Sequence, residues 1–389
     1  MHIKPVFTFP TAEEIALRLD RVRGAMREQG LDYYVAHCPD NVFYLTNFAN
    51  VVHERPFVLV IPASGTPQFV VPKLEIPHVN CRKVGALELV EYFEFPAPEG
   101  QTWADRFKAL FASNARVGVE STCPLQIVDE VPGDAVRVDV IDDVRQIKTD
   151  FELSRIRYSS DIAVEGMQML LANARPGMGL MEVNASIKGH MMLKVFTDMP
   201  NTNVVCSKIE AVFQPPHIAH DPHNFTDVNM VMVEGGPHVS IINGTINGYG
   251  TEVERTFFLG HVPEAAKKPY AVMMEARAKA FELTKPGNVM HDVDEAVNNV
   301  MKKAGYGDNL LHRTGHSIGV TGHEGPFLAE GYYREIEPGM LFTIEPGIYL
   351  PGVGGFRHSD TVMTTDNGNI SMTPVADSLE EMTLDERVL

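Results

Sequence analysis

The stretch "NGYGTEVERTFFLG", residues 247–260, reads as a buried β-strand that carries two carboxylates, Glu252 and Glu254. Side chains at positions i and i+2 of a strand point to the same face, so both carboxylates share one surface of the sheet. A buried carboxylate is costly unless it is paired, protonated or bound to a cation. The stretch therefore predicts a buried strand with a polar site on one of its faces.

The composition is that of a globular protein long enough for two domains. The chain has 389 residues, with 33 Lys and Arg against 51 Asp and Glu. This acidic balance argues against nucleic acid or an anionic membrane surface as a partner, because both are bound through basic patches. No signal-peptide pattern is present, and no apolar run reaches the roughly 20 residues that cross a bilayer. We expect a cytoplasmic protein with free thiols, because the four cysteines are scattered: Cys38, Cys81, Cys123 and Cys206.

Helix and strand signals divide the chain into two parts. Residues 1–148 alternate short helical and strand patterns, which predicts an N-terminal α/β domain. Residues 149–389 open with a long, charged, amphipathic helix and continue with further helices and antiparallel-looking strands. This grouping predicts an α+β C-terminal domain.

The segment "LHRTGHSIGVTGHEGPF", residues 311–327, contains the pattern G-x-S-x-G around Ser317, which is typical of serine hydrolases. That pattern requires a helix directly after the serine, and the Gly- and Pro-rich continuation does not predict one. We expect a loop that contributes His316, rather than Ser317, to a site. Glu345, between Ile344 and Pro346 in an apolar strand, is the other residue that indicates a polar site nearby.

Four ordered segments resemble the creatinase/aminopeptidase P/prolidase family: "VRQIKTDFELSRIR", "GYGTEVERTFFLG", "HRTGHSIGVTGHEGP" and "GMLFTIEPGIYLPGVGGFRHSD". The resemblance spans both parts of the chain, from "NVFYLTNF" to about residue 364. It implies a C-terminal pita-bread α+β domain preceded by a smaller α/β domain of the creatinase type. Members of this family are usually homodimers.

Peptidases of this family hold two metal ions with five ligands, Asp, Asp, His, Glu and Glu. The corresponding positions of this chain are Ile241, Glu252, His316, Glu345 and Ser359. Isoleucine has no lone pair to donate and a serine hydroxyl is a poor, neutral ligand, so two bridged dications are not expected. We predict no metal cofactor. The alternative is one divalent ion, such as Mn, Fe, Co or Zn, on Glu252, His316 and Glu345.

Creatinase, the metal-free member, is the closer resemblance. It has "ALERT" where the peptidases have "SDITRT", and this chain reads "EVERT". Its catalytic histidine lies in an "AHNP" loop that matches "DPHNF" here. The resemblance implies catalytic roles for His223, Glu254, Glu345 and His316. It implies substrate binding by Glu252, His323, His358 and Arg55, the last from across the dimer to a substrate carboxylate.

These matches predict a metal-independent hydrolase of a C–N bond in a small, carboxylate-bearing molecule, such as a creatine-like compound, an amidine or a cyclic amide. His223 would act as the general base, because imidazole titrates near neutral pH. The glutamates would hold the substrate by charge-assisted hydrogen bonds. Two alternatives stay open. One is a metal-dependent Xaa-Pro dipeptidase or aminopeptidase-type enzyme with an altered metal site, and the other is a catalytically silent binding protein of the same fold.

Overall fold

The computed structural model describes residues 3–51, 53–133, 135–224 and 227–385. The chain divides into two compact units. One consists of Thr8–Arg145, and the other combines Met1–Phe7 with Gln146–Leu389. None of the helices in the described ranges is both long enough and apolar enough to cross a membrane.

The N-terminal unit is built on one sheet. Its strands are β1 Tyr33–Ala36, β2 Val58–Pro62, β3 Gln68–Pro72, β4 Glu88–Tyr92, β5 Val117–Val119 and β6 Ala135–Arg137. They lie in the order β4-β3-β2-β1-β5-β6, with β2 antiparallel to both of its neighbours and the other pairs parallel. The helices of this unit are α1 Ala12–Glu28, α2 Pro39–Thr46, α3 Ile76–Arg82, α4 Trp103–Lys108, α5 Leu125–Val128 and α6 Val140–Val144.

The C-terminal unit mixes helices with mainly antiparallel strands. Its helices are α7 Asp150–Asn173, α8 Leu180–Asp198, α9 Pro216–Ala219, α10 Glu264–Leu283 and α11 Met290–Met301. Its strands are β7 Lys208–Gln214, β8 Gly235–Ile246, β9 Tyr249–Leu259, β10 Gly315–Ser317, β11 Glu324–Leu328, β12 Leu341–Ile344, β13 Gly347–Leu350, β14 Gly354–Arg357, β15 Ser359–Thr365, β16 Gly368–Ser371 and β17 Thr383–Leu384. The main sheet has the order β12-β15-β9-β8-β7. The predicted α+β class is confirmed for this part of the chain.

The long helix α7 begins at a capping box. The hydroxyl of Thr149 accepts the N–H of Glu152 at 3.2 Å, and the Glu152 carboxylate accepts the N–H of Thr149 at 2.9 Å. Two donors of the first turn are satisfied in this way, so the helix starts at Asp150. Lys148 therefore lies just before the helix, where its N–H donates to the carbonyl of Gly339 at 3.0 Å.

The hairpin of β8 and β9 places the two carboxylates found in the sequence. Its turn consists of Asn247 and Gly248, whose φ angles are 46° and 79°, the positive values of a two-residue type I′ turn. Ile246 pairs with Tyr249, and the same register sets Asn243 opposite Glu252. Strand β9 is buried along its whole length, as the sequence predicts.

The two faces of this hairpin have opposite chemistry. Val253 and Ile242 are fully buried in the hydrophobic core with residues of α7 and α8, including Met167 and Met191. Burying each such aliphatic side chain contributes about 1.5–3 kcal/mol. Glu252 and Glu254 flank Val253, so alternation places both on the opposite face. One face thus stabilises the fold and the other is available for a site.

Candidate functional site

A cavity of about 540 Å³ lies on the carboxylate face of the β8–β9 hairpin. Most of the residues that the sequence predicts for a site line it: His223, Glu252, Glu254, His316, His323 and Glu345. Its lining also includes residues that no sequence pattern indicates as part of a site, chiefly Asn243, Leu311, His312, Arg313 and Arg357. Cavities of this size bind small molecules.

The structure does not bring His358 to this cavity. The imidazole is fully buried, with Nε2 3.3 Å from the carbonyl oxygen of Thr256 and 3.4 Å from the hydroxyl of Tyr270. Burial, reinforced by nearby arginines, lowers its pKa well below the ordinary value. Its predecessor Arg357 lines the cavity, and successive residues of extended chain point to opposite sides. His358 therefore lies behind the site.

Arg55 belongs to the N-terminal unit. Its guanidinium donates to Glu54 at 2.6 Å and to Glu94 at 2.7 Å. Its predicted role at a dimer interface stays a prediction, as does the homodimer.

Glu254 forms a buried ion pair with Arg357. Arg357 Nη2 donates to Glu254 Oε1 at 2.8 Å, and Arg357 Nε contacts the second carboxylate oxygen. The guanidinium therefore binds the carboxylate in a bidentate manner. Arg357 Nη1 also donates to the hydroxyl of Tyr349 at 3.1 Å. That hydroxyl lies 2.7 Å from His312 Nε2. His312 Nδ1 lies 2.8 Å from the carbonyl oxygen of Arg313, to which only an N–H can donate. Nε2 of His312 is therefore the acceptor, and the Tyr349 hydroxyl donates to it.

Glu252 lies at the centre of the cluster. The hydroxyl of Ser359 donates to Glu252 Oε1 at 2.8 Å, so this serine orients the carboxylate. Across the β8–β9 ladder, Asn243 faces Glu252 and Ile241 faces Glu254. The amide side chain of Asn243 and the aliphatic side chain of Ile241 therefore line the cavity beside the two glutamates.

His316 and Glu345 come from two neighbouring strands. Gly315 lets β10 approach β12 closely, because a Cβ at this position would lie 2.0 Å from the carbonyl oxygen of Thr343. The Thr343 hydroxyl donates to Glu345 Oε1 at 3.0 Å. His316 Nε2 lies 3.3 Å from the same oxygen. Gly315 therefore allows the strand that carries His316 to lie directly against the strand that leads to Glu345.

The tautomer of His316 follows from its hydrogen bonds. Nδ1 lies 3.0 Å from the backbone carbonyl oxygen of Ser317, which can only accept, so Nδ1 carries the proton. Nε2 is buried without a hydrogen-bond partner. Burial lowers the pKa of this imidazole, so its neutral form is favoured. His316 thus presents a free nitrogen lone pair to the cavity.

Burial also shifts the titration of the surrounding groups. It raises the pKa of Glu254 to about 7, against the opposing charge of Arg357 and with help from Glu252. It raises the pKa of Glu345 well above the ordinary value, reinforced by Glu252 and Glu254. His323, an exposed side chain, stacks on His316 with ring centroids 3.8 Å apart, and partial desolvation, reinforced by His316, lowers its pKa to about 4. The cluster therefore disfavours net charge of either sign until a counter-ion is bound.

Two groups of residues have ligand atoms that lie within 4.8 Å of one another. They are Glu252 with His316 and His323, and Glu252 with Glu254 and Glu345. Imidazole nitrogen and carboxylate oxygen are the donors that Zn, Mn and Fe accept. The Nε2 atom of His316 carries a lone pair and has no hydrogen-bond partner, and a cation bound to it would satisfy this lone pair. The donor set therefore fits a divalent ion.

A buried ion pair holds the hairpin that carries the two histidines. Lys148 Nζ donates to Glu324 Oε1 at 2.8 Å and to the hydroxyl of Ser317 at 3.0 Å. Gly319 makes room for this carboxylate, because a Cβ there would lie 2.1 Å from Glu324 Oε1. The hydroxyl of Ser317 is buried against a lysine ammonium and does not line the cavity. The position of Ser317 therefore agrees with the expectation that it is not a nucleophile.

Asn243 could have been placed from the sequence. The dipeptide Asn247-Gly248 is a strong signal for a two-residue hairpin turn, and this turn alone fixes which residue of β8 faces Glu252. Arg313 gives no such signal, because it lies in the loop between α11 and β10, where no periodicity indicates the direction of a side chain.

Comparison with known proteins gives two family matches. Residues 154–366 match the model of metallopeptidase family M24. Residues 18–147 match the model of the creatinase/prolidase N-terminal domain. The two matches follow one another along the chain in the order that the resemblance predicts.

Individual relatives match over nearly the whole chain. The putative dipeptidase YkvY of Bacillus subtilis is 29% identical over 368 residues, covering 92% of this chain and 97% of that protein. An Xaa-Pro dipeptidase of Pyrococcus furiosus is 27% identical, covering 92% and 97%. The solved prolidase of Pyrococcus horikoshii superimposes with a TM-score of 0.80 at 23% identity, covering 93% of this chain and 99% of that one. This likeness confirms the predicted fold, a creatinase-type N-terminal domain followed along the chain by a pita-bread domain.

The prediction of a site without a metal cofactor is wrong. The matched family is one of metallopeptidases, and the fold groups carboxylates and imidazoles as a cation requires. Ile241 and Ser359 supply no metal ligand, but the fold brings a further imidazole, that of His323, to the same place. Metal-independent, creatinase-like hydrolysis is likewise not supported, because the relatives above carry dipeptidase names.

Proposed function

The chain belongs to metallopeptidase family M24, and from this membership we propose that it is a metal-dependent dipeptidase of the Xaa-Pro type with an altered metal site. The membership also confirms the predicted enzyme class, a hydrolase that acts on carbon–nitrogen bonds. The substrate class and the ligand set are the parts proposed here.

The free lone pair of His316 is the observation that carries this proposal. A buried nitrogen without a hydrogen-bond partner loses its hydration and gains nothing in return. A cation bound there would remove this deficit. Glu252 and His323 have ligand atoms within reach of the same place, and Glu345 borders it. These residues are the proposed ligands.

The charge of the cluster supports one divalent ion rather than two. Arg357 already neutralises Glu254, which leaves Glu252 and Glu345 as the carboxylates with charge available. Two negative charges balance one dication. A second ion would leave uncompensated positive charge in a buried site, which is strongly unfavourable.

Residues around the metal site would orient its ligands and contact the substrate. A divalent ion in such a site polarises a peptide carbonyl and makes water a better nucleophile near neutral pH. Ser359 holds Glu252 in one orientation, and Thr343 does the same for Glu345. His223 is exposed at the cavity lining, where it can contact the substrate and exchange protons with solvent.

Metal analysis and chelation test this function. We expect one ion per chain by mass spectrometry, loss of Ala-Pro hydrolysis after exhaustive treatment with EDTA, and recovery with Mn²⁺. His316→Ala should no longer bind Mn²⁺ in calorimetry, whereas His190→Ala, which changes an exposed histidine on α8, should bind it normally. Full activity in the chelated protein, or unchanged Mn²⁺ binding by His316→Ala, would refute the proposal.

A further inference from the structure

Ile241 places an apolar side chain in the polar wall of the cavity. It lines the cavity, is half-buried, and lies directly opposite Glu254 in the β8–β9 ladder. Residues that face each other in this way have Cβ atoms about 5 Å apart, so Ile241 borders the glutamate cluster. Asn243, the other cavity residue of this strand, contributes a neutral amide. Neither side chain adds a charge to the wall.

The carboxylates of the cluster are all paired once a single divalent ion is bound. The guanidinium of Arg357 holds Glu254. Glu252 and Glu345 then carry the two negative charges that balance one dication. Among the lining residues that the structure describes, no carboxylate is left for a cation that a substrate brings.

The other ionisable groups of the lining cannot replace that missing counter-charge. They are one arginine, Arg313, and four histidines, His223, His312, His316 and His323. A guanidinium is always positive, and an imidazole is either positive or neutral. The charge that remains around the cluster is therefore positive.

The covalent structure of a dipeptide fixes where its ammonium group must lie. A single tetrahedral carbon separates the α-nitrogen from the carbonyl carbon of the bond to be cleaved, so these two atoms are about 2.5 Å apart. A substrate whose carbonyl carbon reaches Glu252, His316 and Glu345 therefore carries its ammonium group into the same buried cluster. A buried charge without a counter-ion is strongly unfavourable, and nearby positive charge makes it more so.

We infer that the cavity selects amides whose acyl group carries no α-ammonium group, namely N-acyl amino acids, over dipeptides with a free amino terminus. This inference rests on the proposed function and deepens it, because it names the substrate class of the same hydrolysis. Water adds to the acyl carbon, the C–N bond breaks, and the amino acid leaves with a proton from that water on its nitrogen. Ile241 is then a specificity-determining residue, because it lies where a carboxylate would pair with an ammonium group.

Two substrates that differ only in the α-ammonium group test the inference. They are Ala-Pro and N-propionyl-L-proline, and the enzyme is loaded with one equivalent of Mn²⁺ per chain. An ammonium group without a counter-charge should lower kcat/KM on the order of 10- to 100-fold. We expect N-propionyl-proline to be the better substrate by this factor at about pH 6. Equal values, or a preference for Ala-Pro, would overturn the inference.

The dependence of this preference on pH separates charge from shape. An α-amino group loses its proton near pH 8, so Ala-Pro is cationic at its nitrogen below that pH and neutral above it. The preference for N-propionyl-proline should therefore decrease as the pH rises from about 6 to about 9. A preference that stays constant would assign the selection to shape, and the charge argument would fail.

Two variants of Ile241 separate charge from side-chain size. Aspartate and asparagine have nearly the same volume, so both substitutions disturb the packing alike, but only aspartate supplies a counter-charge. With Mn²⁺ limited to one equivalent, Ile241→Asp should lose or reverse the preference, whereas Ile241→Asn should keep most of it. If Ile241→Asp keeps the wild-type ratio of kcat/KM values, the inference is overturned.

A binding measurement distinguishes this failure from failure of the proposed function. Propionate and L-alanine, the acids released from the two substrates, differ by the same ammonium group, and calorimetry with them needs no turnover. Binding of propionate but not of L-alanine supports the inference even if neither amide is hydrolysed, and in that case only the proposed function fails. Equal hydrolysis of both amides with equal binding of both acids overturns the inference alone. The absence of both hydrolysis and discrimination overturns both.

Discussion

Replacing Lys148 with methionine tests how the hairpin that carries His316 and His323 is held. Lys148 Nζ is fully buried and lies 2.8 Å from Glu324 Oε1. With an effective dielectric constant of about 20, unit charges at this separation attract each other by about 6 kcal/mol, part of which offsets the lost hydration of both ions. Methionine preserves much of the side-chain volume but removes the ammonium group that donates to this buried carboxylate. We expect the free energy of unfolding to fall by roughly 3–5 kcal/mol.

Equilibrium unfolding in urea measures this loss. Far-UV circular dichroism follows both units of the chain, whereas the single tryptophan, Trp103, lies in the N-terminal unit and reports on that unit alone. The matched control is Lys279→Met. It removes the cation of another Lys–Glu pair, with Glu282, in which both side chains are exposed. Because water screens that pair, the control should leave the free energy of unfolding nearly unchanged.

The double variant Lys148→Met with Glu324→Gln completes the test. It removes both charges of the Lys148–Glu324 pair, so most of the lost stability should return. A loss below about 1 kcal/mol in the single variant would refute the argument. So would a double variant that is no more stable than the single one.

Acid should destabilise the protein through His238, whose pKa burial lowers from 6.5 to about 4. The unfolded chain takes up a proton near pH 6.5 and the folded chain does not, so stability should fall by roughly 3 kcal/mol between those two pH values. Urea unfolding at a series of pH values gives the free energy of unfolding as a function of pH. This dependence should be weaker in His238→Gln than in the wild type, and unchanged in His261→Gln, whose side chain is exposed. Equal dependence on pH in His238→Gln and the wild type would contradict the assignment. Ile241→Asp combined with Ser359→Glu supplies the two missing carboxylates and should raise bound Mn²⁺ from one ion to two per chain by mass spectrometry; an unchanged ratio would contradict the charge argument. A fluorophosphonate should not label the protein, and Ser317→Ala should keep hydrolytic activity within about threefold, because this hydroxyl is buried against an ammonium group; a tenfold loss would make the serine a participant.

Period-two alternation explains what the sequence could predict about the site. Glu252 and Glu254 share a face because they are two residues apart in one strand, and Val253 between them joins the core. That reasoning needs no tertiary information. Glu345 was found by a second local argument, because a carboxylate in an apolar run requires a partner.

Contacts between distant segments explain what the sequence could not predict. Arg357 neutralises Glu254, and the two residues lie on strands that are far apart in the sequence. The number of carboxylate charges available to a metal ion could therefore not be predicted from the sequence. His358 follows Arg357 directly, and successive residues of extended chain point to opposite sides. Arg357 therefore lines the cavity, whereas His358 lies in the protein interior. The sequence shows that isoleucine and serine stand at positions 241 and 359, but the stacking of His323 on His316 arises only when β10 and β11 pair.

The two-residue turn at Asn247-Gly248 makes the length of this hairpin a functional constraint. Surface loops usually tolerate insertions and deletions, but here one added or removed residue would shift the register of β8 against β9. Ile242, now in the core, would then point towards the glutamates, and Asn243 would be driven into the core. Substitutions at positions 241 and 243 can change the chemistry of the pocket while the backbone stays as it is. Divergence at this hairpin should therefore proceed by exchange of side chains and not by changes in chain length.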